Sequence, residues 1–157
     1  MMSSIDIGNF EKIREKGEVL YQTFGKVYCP YFKEKISFSS SGLNHIKFKR
    51  VEMARPPVDQ RMRFKLLYLA PEVIARSHTL QGECVISKFE RVRKNNRSDK
   101  VLSLVTFYEF IAVMGRNRVK VIIKQIESGE KFFWSLIPFW GTDAASGRRI
   151  LADGMID

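Results

Sequence analysis

The run from Val101 to Pro138 limits the fold more than any other part of the chain. It reads VLSLVTFYEFIAVMG, then RNRVKVIIKQIESGEK, then FFWSLIP. Val, Ile, Phe, Tyr and Trp dominate, and such side chains suit a pleated, half-buried surface. Turn signals at Gly115-Arg116-Asn117 and at Glu127-Ser128-Gly129-Glu130 cut the run into three strands. Upstream, Gly82–Val92 (GECVISKFERV) reads as a strand ahead of them, joined by a polar, basic loop, Arg93–Lys100. The expected core is therefore an antiparallel meander of four strands. On the third, Val119–Ile126, Lys120 and Lys124 share one face and Val119, Val121 and Ile123 the other. Pro138 ends the last strand because it has no amide hydrogen for a ladder.

The first half reads mainly as helix. Asn9–Gln22 places Phe10, Ile13, Gly17, Leu20 and Tyr21 near one face, with Asn9 as a cap. Val27–Phe38 is extended with a break at Pro30, and suggests a short strand or edge segment. The Ser39-Ser40-Ser41-Gly42 turn leads into a short helix, Leu43–Arg50, that gathers His45, Lys47, Lys49 and Arg50. After Pro56-Pro57, Asp59 opens a helix over Gln60–Ala70, continued through Pro71 to Arg76 with a kink. Arg63 falls inside that helix's apolar arc, so its guanidinium must snorkel, pair with Glu109 or another acid, or contact a phosphate. The predicted class is α+β: N-terminal helices packed on a four-stranded antiparallel sheet. The expected divisions are a helical segment over 1–26, the main domain over 27–140 and a Gly/Ala/Asp-rich tail over 141–157.

Charge supplies the functional lead. The formal net charge is +10 over 157 residues, and a small protein this basic attracts polyanions, of which nucleic acid is the commonest. The plainer account is a solvated Lys/Arg surface with no such partner. Two cysteines, Cys29 and Cys84, and two histidines, His45 and His78, in no metal-like spacing argue against a disulfide scaffold and a structural zinc. No stretch has signal-peptide or membrane-spanning character, so a cytoplasmic protein without a membrane partner is expected.

There is no P-loop, no dinucleotide-binding glycine motif, no nucleophile elbow and no carboxylate cluster of the kind divalent metals favour. Any catalysis should work without metal or other cofactor. RNA cleavage meets that limit, because the 2′-hydroxyl is itself the nucleophile. The protein need only move two protons and stabilise the crowded phosphate.

FSSSGLNHIKFK (Phe38–Lys49) and VKVIIKQIESGEKFFWSLIPFW (Val119–Trp140), with the order helices then meander, resemble the phage and mobile-element branch of the barnase–colicin–RelE-like nuclease group. The resemblance spans about Tyr28–Trp140. It implies a metal-independent, toxin-like endoribonuclease acting on RNA, with a cognate inhibitor protein as a further partner. That group places a His at the end of its first short helix, basic residues on the next helix and polar residues on later strands. His45, Arg63, and Lys120 with Ser135 match in turn. The departure is a thin acid–base set, with one well-placed His and with Glu109 in a strand of undetermined facing.

The expected catalytic set is therefore His45, Arg63, Glu109, Lys120 and Ser135: His45 or Glu109 as base or acid, Arg63 and Lys120 on the phosphate, Ser135 orienting it. Lys47, Lys49, Lys124 and Trp140 are expected nucleic-acid contacts. Each has a plainer account. His45 beside Leu43 and Ile46 suits a hydrogen-bonded structural histidine, Glu109 a partner for Arg63 or a Lys, and Lys120 and Lys124 a solvated strand face. Ser135 could simply satisfy neighbouring backbone. Tyr108 and Trp134 could stack on bases or pack in the core. Two alternatives stay open beside the nuclease: a non-catalytic RNA- or DNA-binding module, and an inactive relative that binds a protein.

Overall fold

The computed structural model describes residues 4–50, 52–94 and 97–138. In chain order its elements are α1 (Ser4–Gln22), β1 (Lys26–Cys29), β2 (Glu34–Ser37), α2 (Ser40–Lys47), β3 (Phe48–Arg50), β4 (Met53–Ala54), α3 (Pro57–Leu66), α4 (Leu69–Arg76), β5 (Gly82–Lys94), β6 (Arg97–Met114), β7 (Asn117–Ile126) and β8 (Phe132–Pro138). The expected sheet is corrected. β5 to β8 do form an antiparallel run, but the sheet has six strands in the order β1-β2-β8-β7-β6-β5 and is mixed. β1 and β2 make an antiparallel hairpin, and β2 joins β8 in parallel at the single register Ser37↔Phe132. A separate two-stranded sheet pairs β3 with β4.

Sequence patterning suggests a short strand or edge segment over Val27–Phe38 but conceals, for a physical reason, that it is a hairpin of two strands belonging to the main sheet. β1 and β2 are four residues each, too short for alternation to resolve them as two strands, and each contains Lys. Ile36 and Cys29 are nonetheless fully buried, which anchors the hairpin.

The second half of the helical region also differs from expectation. The helix after Pro56 starts at Pro57, where proline is tolerated because a first-turn N–H has no helical partner anyway. It then stops, and α4 begins separately. Pro71 cannot donate to the Leu67 carbonyl and its ring crowds it, so the break falls where one continuous helix would be disrupted.

The helices cover one face of the sheet. Tyr21 of α1, Leu43 and Ile46 of α2, Phe64 of α3 and Val73 and Ile74 of α4 share a core with Phe110, Val121, Ile123, Phe133 and Leu136. Close approach fixes α2 on β8. A Cβ on Gly42 would run into the Phe133 carbonyl oxygen and lie 2.7 Å from the Tyr21 hydroxyl.

The opposite face holds a second cluster: Val105, Phe107, Ile122 and Ile137, with Ile126 and Trp134 against it. It is buried because the β5–β6 ribbon curls. Cys84, Phe107 and Lys124 stand abreast on three neighbouring strands. Glu90 lies six residues along β5 from Cys84, which is about 20 Å in a flat strand. Yet the Lys124 ammonium donates to Glu90 Oε1 at 2.7 Å. Only a ribbon folded back over the sheet brings these groups together.

Candidate functional site

Strand register sets the frame. Glu109, Ile122 and Ser135 form one row across β6, β7 and β8. Ile111, Lys120 and Ile137 form the next, and Phe107, Lys124 and Phe132 another. A register shift between Ile122 and Ile123 gives β8 an extra residue there, and the indole of Trp134 joins the second cluster.

The His45 ring of α2 lies flat against Trp134, with centroids 4.1 Å apart and planes 18° apart. His45 is only 6% exposed. Arg55, between β4 and α3, fixes it from the other side. Its Nε donates to the His45 carbonyl at 2.9 Å, and its Nη2 lies 3.1 Å from His45 Nε2. Since a guanidinium only donates, Nε2 is the accepting nitrogen in this arrangement.

From Arg55 the polar chain runs on. Its Nη1 is 3.7 Å from Asp59 Oδ2, and Arg63 Nε donates to Asp59 Oδ1 at 2.7 Å. Arg63 Nη1 then donates to Ser135 Oγ at 2.8 Å and approaches the Leu136 carbonyl at 3.4 Å. Both arginines are 3% exposed, so two buried guanidiniums share one carboxylate that remains at the surface.

The remaining candidates are ion pairs on the ribbon side. Lys120 Nζ lies 2.6 Å from Glu109 Oε1. Lys124 is 2% exposed; besides Glu90 it sits 4.0 Å over the Trp134 ring. Burial lowers the Lys124 ammonium pKa, and the Glu90 carboxylate works against that shift.

The structure thus brings His45, Arg63 and Ser135 into one network. It sets Glu109 two strands from Ser135, about 10 Å by ordinary strand spacing, while Lys120 on β7 pairs with Ile137 of the neighbouring β8. Lys120 and Lys124 are buried partners of carboxylates, not a solvated strand face. Lys47 is half-buried and pairs with Glu18 at 3.0 Å, whereas Lys49 is exposed on β3. Trp140 lies outside the described residues. Two surface hollows, of about 470 and 480 Å3, are lined elsewhere: one by α4 and the β6–β7 turn, including Tyr68, Arg76 and Arg116, the other by α1. None of the expected site residues lines either.

Sequence reading missed Arg55, Asp59 and Glu90 as members of the site. For the first two a signal existed: Arg55, Asp59 and Arg63 recur every four residues, the spacing at which helical charges meet.

No protein-family model matches the chain, and no match is found among curated proteins or solved structures. Among the described residues, no group of His, Cys, Asp or Glu could hold a metal ion. No helix there is long and apolar enough to cross a membrane.

Proposed function

We propose that this protein binds RNA through its phosphate backbone and leaves it intact. One observation carries the reading: in a chain of net charge +10, the groups that would move protons or hold the reacting phosphate are already engaged within the protein. Glu109 is held by Lys120, and Arg63 by Asp59 and Ser135. His45 is buried under Trp134. A general base must reach the proton that it removes, and a 6% exposed imidazole is poorly placed for that. Exposed cations flank the network along the chain, at Lys49 and Arg50 on β3 and Lys65 on α3. They suit sequence-independent phosphate contacts, and such binding belongs in the cytoplasm, where RNA is abundant.

A second reading, the metal-independent endoribonuclease, draws on the contiguity of the same groups. His45, Arg63 and Ser135 lie in one network, with Glu109 and Lys120 nearby. Incubation of the protein with end-labelled single-stranded RNA in EDTA separates the two. Retarded but intact RNA is the expected result. Products with 2′,3′-cyclic phosphate ends, lost in His45→Ala or Glu109→Gln, would establish the nuclease instead. Binding indifferent to salt would count against both and favour a protein partner.

A further inference from the structure

Among the described residues the six-stranded sheet ends on β5, which pairs with β6 and with no other strand. β5 is 13 residues long, and an edge of that length offers a row of N–H and C=O groups to another strand. Glu83, Val85, Ser87, Phe89 and Arg91 alternate along one of its faces, and all are exposed. Val85 is 55% and Phe89 66% exposed. Across the ladder, Ser87 opposes Leu104 and Phe89 opposes Leu102. These leucines are 53% and 58% exposed, so four apolar side chains form one stripe along the edge.

We propose that this edge is the dimer interface: a second copy of the chain pairs antiparallel along β5, with the two-fold axis at Ser87. The strand is self-complementary in that register. Glu83 then stands opposite Arg91 of the second copy, and Val85 opposite its Phe89. Opposite charges and apolar pairs directly across a ladder are stabilising. A two-fold axis normal to the sheet keeps each face continuous between copies, so each residue must oppose one of its own parity. The neighbouring registers fail on the same rules. Centring on Lys88 sets two ammoniums face to face, and centring on Ile86 sets Phe89 against Glu83. Antiparallel pairing also sends the two basic ribbon ends, which carry exposed Arg97 and Lys100, in opposite directions. Two chains of charge +10 can therefore meet at a nearly neutral segment. The self-complementarity of Glu83 and Arg91 favours a second copy over an unrelated partner.

Light scattering and oxidative cross-linking of the full chain test this. Directly opposed residues on antiparallel strands have Cα atoms about 4.5–5.5 Å apart, within disulfide range. With Cys84→Ser as background, Ser87→Cys should give a covalent dimer. Val85→Cys should cross-link to Phe89→Cys in a mixture and not to itself. Light scattering should give twice 18.3 kDa. Phe89→Lys, at an exposed site, should leave the circular dichroism spectrum unchanged and weaken the dimer about tenfold or more, since the change acts twice across the axis. A monomer in light scattering, or a dimer unaffected by Phe89→Lys, overturns the interface. Self-linking of Val85→Cys without that of Ser87→Cys overturns the register. Both are distinct from failure of RNA binding, on which this interface does not depend.

Discussion

Asp59 is the residue on which the polar network turns. Its carboxylate sits between the guanidiniums of Arg55 and Arg63, where a phosphate would have to bind if either arginine were to contact RNA. It acts as an internal counter-anion. Asp59→Asn should raise RNA affinity several-fold in fluorescence anisotropy at fixed salt. It should also lower stability by about 1–3 kcal/mol in urea unfolding, because buried charged donors lose an ionic acceptor. Unchanged affinity would mean that phosphate is bound elsewhere. Tyr21 gives a different kind of test. Burial raises its phenol pKa well above the free value of 10.0, opposed in part by a backbone hydrogen bond from Leu43. The unfolded chain therefore loses this proton at lower pH than the folded one. The contribution to stability is full below pH 10.0 and falls as pH rises toward the folded value. Tyr21→Phe should show a shallower fall in melting temperature above pH 10.0. At neutral pH it should lose about 1 kcal/mol with the 2.6 Å bond to the Ser39 carbonyl.

Among the elements, α2 and the β5–β6 ribbon depend on contacts that are easy to break. Gly42 leaves no room for a Cβ against the Phe133 carbonyl, so Gly42→Ala should separate α2 from β8 and cost about 1–3 kcal/mol in chemical denaturation. The ribbon is closed by Glu90 on Lys124. Glu90→Gln removes the anion and leaves a buried ammonium, so amide exchange across β5 and the first half of β6 should quicken while α1 to α4 stay protected. The same elements show what a sequence can and cannot disclose. β5 to β8 were legible because their alternation is long. That Val119, Val121 and Ile123 face away from Lys120 and Lys124 was legible too. That both lysines are buried was not, because alternation within one strand carries no sign that a distant ribbon folds over it. A short strand or edge segment was legible over Val27–Phe38, but its place in the sheet was not, because a parallel pairing at one register leaves no local trace.

For the molecule as a whole, the excess of positive charge has a direct consequence. If RNA is held by its backbone, the logarithm of the binding constant should fall linearly with the logarithm of salt concentration. Each phosphate neutralised on a single strand contributes a slope of about −0.7, so about three or more contacts should give −2 or steeper. A flat dependence in a salt titration would remove the polyanion reading. The place of Arg63 in the site was half legible. Its position on an apolar arc called for an anion or a polar partner, but that the partners are Asp59 and Ser135 depends on α3 packing against β8.

The parallel contact between Ser37 and Phe132 also bears on synthesis. As the chain leaves the ribosome, the β1–β2 hairpin appears well before β8, the strand that joins it to the sheet. The hairpin and α2 must wait, with Cys29, Ile36 and Ile46 unsheltered, until the sequence through Pro138 has emerged. Nascent chains halted before that point should be cut readily by protease, and those halted well past it should resist.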